Sequence, residues 1–347
     1  MKKGFALMLA VMLACSLTGC AIMQEQPAEP EQETGAYEQF SEKLDNGKAD
    51  IYLITKGYGS LYWDTLREGA QDAANNYDCN LYVAGTPSEA YPEYLADLML
   101  EAVDAQADAV IVSPTDVPQI KEAAAAVKKA GIPLILVDTI LNNSDYDVCY
   151  ATDNMQAGRM AAKEVIRLLH QRGRHDTETL TVGIDISVAE SQTILERLAG
   201  FQEYWSNYAP KSWKVLGDIK INNGNIDLAE EQGYEFMDSS TALAALVGLN
   251  NGSTVGLARS IMGRENKKMV LVGFDYSDEM KEMITGEEYL AASIVQRQYD
   301  MGYGSVEQAV KLAAGAAVEY RYVDTGVQQV DGDNVDSPYI QEILGGK

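Results

Sequence analysis

The chain has 347 residues, with 27 Lys and Arg against 52 Asp and Glu, for a net charge of −25. Hydrophobic residues make up 46% and charged residues 23%, a globular balance that excludes a disordered chain or one threading a membrane many times. So acidic a surface repels phosphate backbones and anionic headgroups, which excludes a nucleic-acid partner and leaves membrane contact to an anchor. At roughly 150 residues per domain, the length suggests two lobes, each able to bury its own core.

The N-terminus opens on Met1-Lys2-Lys3 and an apolar run from Phe5 to about Leu17, the pattern of a secretory signal over residues 1–19. The run is shorter than the roughly 20 residues a bilayer span takes. It ends in Leu17-Thr18-Gly19-Cys20, which resembles the bacterial lipobox. That resemblance implies that Cys20 is diacylated and becomes the first mature residue, and two acyl chains give stable attachment. Residues 20–49 are rich in Glu, Gln and Pro with almost no bulky apolar residue before Tyr37, so they read as a flexible tether. The expected location is the extracytoplasmic face of a bacterial membrane, with contact only through the lipid.

From residue 50 short apolar runs alternate with helical patterns. Ile51–Thr55 precedes a helix near Tyr62–Tyr77, Asn80–Ala84 one near Pro92–Ala105, and Ala109–Ser113 one near Val117–Ala130, while Pro133–Asp138 leads into a loop. Leu180–Ile186 then leads to Thr193–Tyr208, Trp213–Lys220 to Leu228–Ser239, Ala244–Asn250 to Ser253–Gly263, and Lys268–Asp275 to Ser277–Thr285. Strands of about five residues between helices of 10–15 argue for βαβ units and parallel sheets. Continuous apolar runs such as Val110-Ile111-Val112 fit strands covered on both faces. The expected fold class is α/β, two doubly wound parallel-sheet lobes.

In such sheets ligands bind beyond the carboxyl ends of the strands. Standing there are Gly57–Trp63, Ser113–Asp116, Asp138-Thr139, Asp185, Asn250-Asn251 and Asp275. Carboxylates, amides, hydroxyls and aromatics suit a polar, uncharged ligand. Enzyme signatures are missing. His170 and His175 flank the polar connection Gln171-Arg172-Gly173-Arg174 and read as solvated, with no Ser/His or Cys/His pairing. No C-x-x-C spacing suggests a metal, and Gly57-Tyr58-Gly59 lacks the third glycine of a dinucleotide loop because position 62 is Tyr. No catalytic residue, cofactor or metal is expected. The acidic composition does leave open paired carboxylates for glycoside hydrolysis.

The chain resembles the type I periplasmic binding proteins, in the ribose/galactose-binding branch that serves sugar ABC importers, from roughly Asp50 to Gln329. The ordered landmarks are Trp63-Asp64-Thr65-Leu66-Arg67-Glu68-Gly69-Ala70, Ala130-Gly131-Ile132-Pro133, Val137-Asp138, Ala151-Thr152-Asp153-Asn154, Arg197-x-x-Gly200-Phe201, Val272-Gly273-Phe274-Asp275 and Gln296. The resemblance implies two lobes joined by a three-strand hinge, with a monomer closing on a sugar or polyol and delivering it to an ABC permease. The lobes would be 50–152 with 297–325, and 153–296 with 326–347.

Residue by residue, it places Tyr62 and Trp63 against the sugar ring, unless either packs on its own helix, with Ser60 as a polar neighbour. Asp138 matches the carboxylate that accepts from adjacent hydroxyls, and Arg197 the guanidinium that donates to them, the alternative being an ion pair with Glu190 or Glu203. Asn250 and Asp275 match an amide and a carboxylate at second-lobe strand tips, with helix capping the alternative for Asp275. Gln296 matches a glutamine at a crossover, and Asp153 and Asn154 fall at a hinge or cap. Thr139 stands where ribose binders carry Arg, and Asn222–Asn225 holds no ring where the family has another aromatic. Both departures point to a more polar or larger ligand than a pentose. The family's strand order puts Cys79 and Cys149 on opposite edges of the first lobe, so two free buried thiols are expected.

Two other functions share these residues. One is a sensing subunit for a membrane histidine kinase or autoinducer uptake, which Gly85-Thr86-Pro87-Ser88 loosely resembles; the other is an extracellular hydrolase.

Overall fold

The computed structural model describes residues 38–59, 61–87, 91–189 and 191–345. The expected signal, Cys20, Ser60 and residues 20–37 of the expected tether lie outside these residues. The rest of that stretch is no free tether, since Phe40 meets the Tyr52 ring edge-on at 4.7 Å, Glu38 pairs with Arg67 at 2.7 Å and the Leu44 N–H donates to the Tyr82 hydroxyl at 2.8 Å. Among the described residues no helix is long and apolar enough to cross a membrane.

The alternation in the sequence becomes β1 (Asp50–Thr55), α1 (Leu61–Asn76), β2 (Asn80–Gly85), α2 (Pro92–Asp104), β3 (Ala109–Val112), α3 (Pro118–Lys129), β4 (Leu134–Val137) and β5 (Val148–Ala151). The chain continues through α4 (Asn154–Gln171), β6 (Leu180–Ile186), α5 (Gln192–Tyr208), β7 (Trp213–Val215), β8 (Lys220–Ile221) and α6 (Ile226–Ser239). Then come β9 (Leu243–Gly248), α7 (Asn251–Gly263), β10 (Val270–Phe274), α8 (Asp278–Thr285), β11 (Leu290–Gln296) and α9 (Gln298–Ala313). It ends with β12 (Tyr322–Asp324), β13 (Val327–Asp331) and α10 (Pro338–Ile343).

The strands form two sheets. One runs β12-β5-β4-β3-β1-β2, all parallel; the other runs β13-β11-β10-β9-β6-β7, with β8 also on β6 and only β13 antiparallel. Alternate residues of each strand feed different cores. In the first lobe Tyr52, Ile54 and Val110 pack with Leu95 of α2 and Ile120 of α3, while Ile51, Leu53 and Ile111 pack with Leu66 of α1 and Met301 of α9. In the second, Val182, Val247 and Val272 pack with Leu168 of α4 and Phe201 of α5, and Leu246 and Leu271 with Phe236 of α6 and Leu257 of α7. Apolar runs covered on both sides are what parallel strands between helices require.

The chain passes between the sheets three times. It leaves the first sheet after β5, returns after β11 into α9, and leaves again from β12 to β13 through Gly326, whose φ of 84° is a left-handed turn. In each lobe a pair of helices crosses on glycines. A Cβ at Gly69 of α1 would lie 2.1 Å from the Tyr299 carbonyl oxygen, and one at Gly302 of α9 1.9 Å from that of Leu66. The second lobe repeats this. A Cβ at Gly158 of α4 would meet the Arg197 carbonyl oxygen at 1.9 Å, and one at Gly200 of α5 that of Met155 at 2.0 Å.

Two further expectations need correction. Trp213–Lys220 is not one strand: only Trp213–Val215 and Lys220–Ile221 pair with β6, the run being interrupted at Gly217-Asp218. Cys149 is not at a sheet edge either, because β12 adds beyond its strand β5. Both Cys79 and Cys149 are free, Cys149 buried and Cys79 half-buried.

Candidate functional site

The first lobe gathers its polar groups at the carboxyl ends of β1 and β4. Lys56 directly follows β1 and is only 4% exposed. Asp138 directly follows β4 with φ 67°, a left-handed conformation that aspartate tolerates better than most residues. The Lys56 Nζ lies 3.0 Å from Asp138 Oδ2 and donates to Thr139 Oγ1 at 2.8 Å. The Thr139 hydroxyl donates to the same Oδ2 at 2.7 Å, and the Tyr62 hydroxyl to Asp138 Oδ1 at 2.5 Å. Burial by itself raises the Asp138 pKa, but Lys56 and the Tyr62 and Thr139 hydrogen bonds outweigh it, so the group sits below its ordinary value.

Tyr62 and Trp63 do not form two parallel walls. Their rings meet edge-on at 82° with centroids 4.8 Å apart. Trp63 packs against the first-lobe core and over Gly57, where a Cβ would meet its Nε1 at 2.3 Å. Tyr62 instead directs its hydroxyl to Asp138.

The second lobe contributes Arg197, Asn154, Asp275 and Gln296, and Gln298 joins them from the start of α9, on the first-lobe side of the second crossing. Arg197 is buried at 4% exposure; its Nε donates to Asn154 Oδ1 at 2.9 Å and its Nη1 to the Leu249 carbonyl at 3.0 Å. Its guanidinium lies 4.2 Å from the centre of the Phe274 ring. It makes no ion pair with Glu203, which binds Arg159. Asp275 follows β10 with φ 62°, and its Oδ1 accepts from Gln296 at 3.1 Å and Gln298 at 3.2 Å. It does not cap α8, whose N-cap is Ser277. Burial pushes the Asp275 carboxyl up to about 6; Arg197 and the glutamines oppose this, and the Asp138 charge adds to it.

The two sets face a common space. The ionisation of Tyr62 is pushed up by burial and by both Asp138 and Asp275, and eased by Arg197. Across the crossings, the Thr152 hydroxyl donates to Gln296 Oε1 at 3.1 Å. Asn250 stands apart from this network; its backbone oxygen accepts from Thr254, while its Oδ1 is buried with no hydrogen-bond partner. Asn222 belongs to a different buried cluster, donating to Asp185 Oδ1 at 2.6 Å and Ser253 Oγ at 2.7 Å. Asp153 caps α4 by accepting from Gln156 N at 2.8 Å.

Tyr62, Asp138, Arg197, Asp275 and Gln296 are therefore brought together, Trp63 flanks them, Asn250 lies at a second-lobe strand tip, and Ser60 is outside the described residues. Three members escaped the sequence reading: Lys56, Asn154 as the partner of Arg197, and Gln298. Among the described residues no group of three His, Cys, Asp or Glu could hold a metal ion. What the cluster offers is hydrogen bonding from two sides, with Asp138 matched by Lys56 and Asp275 opposed by Arg197. A balanced set of that kind suits a neutral, hydroxyl-rich molecule.

Comparison with known proteins gives the same direction. The family described as periplasmic binding protein domain matches residues 51–317. The chain is 22% identical over 273 residues to the D-apiose import binding protein of Actinobacillus succinogenes, covering 77% of this chain and 82% of that one. It is 21% identical over 325 residues to the ribose import binding protein of Bacillus subtilis, covering 92% and 96%. Among solved structures, an ABC transporter solute-binding protein from Agrobacterium vitis with bound D-fucose superposes with a TM-score of 0.74 at 25% identity, over 84% of this chain and 99% of that one.

Proposed function

The chain belongs to the periplasmic binding protein domain family, and from that premise we propose that it is an extracytoplasmic receptor for a sugar or related polyol, delivering it to an ABC importer. The relatives named above are import binding proteins, not enzymes. The observation that carries the reading is the paired arrangement of Asp138 and Asp275, one on each lobe, with Lys56 and Arg197 beside them. Ligand hydroxyls donate to the carboxylates and accept from the guanidinium, and charge-assisted bonds of this kind are about twice as strong as neutral ones.

In this reading residues 50–152 with 297–325 and residues 153–296 with 326–347 move as two bodies about the three crossings. Contacts made to both lobes exist only when the cleft is shut, so the ligand shifts the balance toward closure. The permease then reads the closed shape. Diacylation of Cys20 and a tether from there to about residue 37 keep the monomer at the membrane, within reach of that partner, the chain from Glu38 on being held to the first lobe.

A thermal-shift screen against monosaccharides, disaccharides, pentitols, inositols and nucleosides tests the proposal. A ligand at about 100 times its dissociation constant adds about 2.7 kcal/mol of apparent stability. Asp138→Ala and Arg197→Ala are expected to abolish the shift; a full response in both would place binding elsewhere.

A further inference from the structure

Beside the ligand cluster, toward the crossings, lies a cavity of about 340 Å³ lined by both lobes. It shares Asp138 and Asn154 with the cluster and reaches Thr139 on one side, Thr193 and Glu196 in the first turns of α5, and Tyr322 on β12. Ligand clefts begin at roughly 300 Å³, so the cavity by itself has room for a sugar ring, and Arg197, Asp275 and Gln296 are not among its lining residues. Tyr322 is fixed at its far end, its hydroxyl donating to the Thr152 carbonyl at 3.0 Å, yet the residue is 42% exposed. An anchored aromatic with a free face is a platform for an apolar ring surface. The chain has no ring in Asn222–Asn225 to do this from the second lobe. The polar wall is rich in acceptors, with the Asp138 and Glu196 carboxylates and the Thr139 and Thr193 hydroxyls, and none of its described lining residues is Lys or Arg.

We propose that this cavity is a second saccharide subsite, and that the ligand is a neutral disaccharide or glycoside with one ring at Asp138, Arg197 and Asp275 and the other on Tyr322. The inference rests on the saccharide reading of the cleft and extends it. The second ring donates hydroxyls to the acceptor-rich wall, while a uronic acid or phosphate there meets the Glu196 carboxylate, which among the described residues pairs with no Lys or Arg, the Lys56 ammonium being already held by Asp138 and Thr139. Because the wall is built from both the first and third crossings, filling it ties the lobes together where they hinge.

Titration calorimetry on the full chain in a sugar-free detergent tests this, with D-glucose and D-galactose against cellobiose, maltose, lactose and melibiose, and with anionic lactobionate as control. At least one neutral disaccharide is expected to bind tenfold or more tighter than its component sugars, and lactobionate more weakly than lactose. Tyr322→Ala and Thr193→Trp, checked for unchanged melting, are expected to remove that gain while leaving monosaccharide binding within about twofold. Monosaccharides binding as tightly as every disaccharide, or a gain that survives in both variants, would overturn the second subsite while leaving the cleft reading intact. Absence of binding by every saccharide would overturn the cleft reading and the subsite with it.

Discussion

Asp138 and Asp275 occupy the same place in the two lobes. Each follows the third strand in the order of its sheet, β4 and β10; each takes a left-handed φ, 67° and 62°; and each donates its backbone N–H to the neighbouring strand, at 2.9 Å to Tyr150 and 3.0 Å to Ile294. Their surroundings differ. Asp138 has a buried ammonium on one oxygen, whereas Asp275 has only two amides on one of its own. The same backbone device therefore yields a carboxyl held below its ordinary pKa in one lobe and one pushed up to about 6 in the other.

The Lys56–Asp138 pair is buried on both sides. Removing one partner leaves an uncompensated charge, which costs about 3 kcal/mol. Lys56→Met is expected to lower the thermal midpoint strongly at pH 7.5 and less at pH 5, where Asp138 takes up a proton instead. Adding Asp138→Asn is expected to restore most of the loss. Equal loss at both pH values, with no restoration, would show that Lys56 matters only for packing.

Gly158 and Gly302 hold equivalent helix crossings, α4 with α5 and α9 with α1, but only Gly158 lies under Arg197. Alanine at either site is expected to cost about 1–3 kcal/mol through overpacking, read by thermal denaturation. Gly158→Ala alone is expected to cut saccharide affinity directly, by tenfold or more, because the Arg197 backbone must move. A similar loss of affinity in both variants would remove the special role of the α4–α5 crossing.

Acidity acts on two raised carboxyls. Asp185 and Asp275 are both buried and both pushed up to about 6, burial being the first cause in each. A carboxyl whose folded pKa exceeds its unfolded one binds its proton more tightly when folded, so the stability it contributes is present at low pH and lost as pH rises through about 6. Each shift is worth on the order of 3 kcal/mol. The unliganded melting temperature is expected to rise as pH falls from 7.5 to 5, and Asp185→Asn to reduce that rise. Ligand affinity runs the other way, weakening below about pH 6 as Asp275 loses its acceptor charge. A melting profile flat across this range would contradict the assignment.

The two thiols sit near β2 and within β5, with β1, β3 and β4 between those strands. Burial raises both, Cys149 far above its ordinary range. The melting temperature is expected to be the same with and without reductant, and Cys149 to react with a thiol reagent only on unfolding. A reductant-sensitive melt would contradict this.

Much of the fold was legible because alternating apolar runs and helical patterns carry their own periodicity, and strand-tip residues such as Asp138 and Asp275 follow directly from where the runs end. Lys56 was not legible. One residue past an apolar strand, a lysine reads as solvated, and only the carboxylate brought to it from 82 residues away keeps it buried. Gln298 and Asn154 escaped for the same reason, since amides at helix starts ordinarily cap or face water. The strands β12 and β13 were missed because Tyr322–Asp324 and Val327–Asp331 lack an apolar run; edge strands bury less and mark the sequence less.

The central claim is that a saccharide is gripped between two lobes that close on it, and solution scattering tests it most directly. With the tightest-binding saccharide at saturation, the radius of gyration is expected to fall in the wild type and to stay unchanged in Arg197→Ala. Saturable binding with superimposable profiles before and after, or contraction undiminished in the variant, would contradict it.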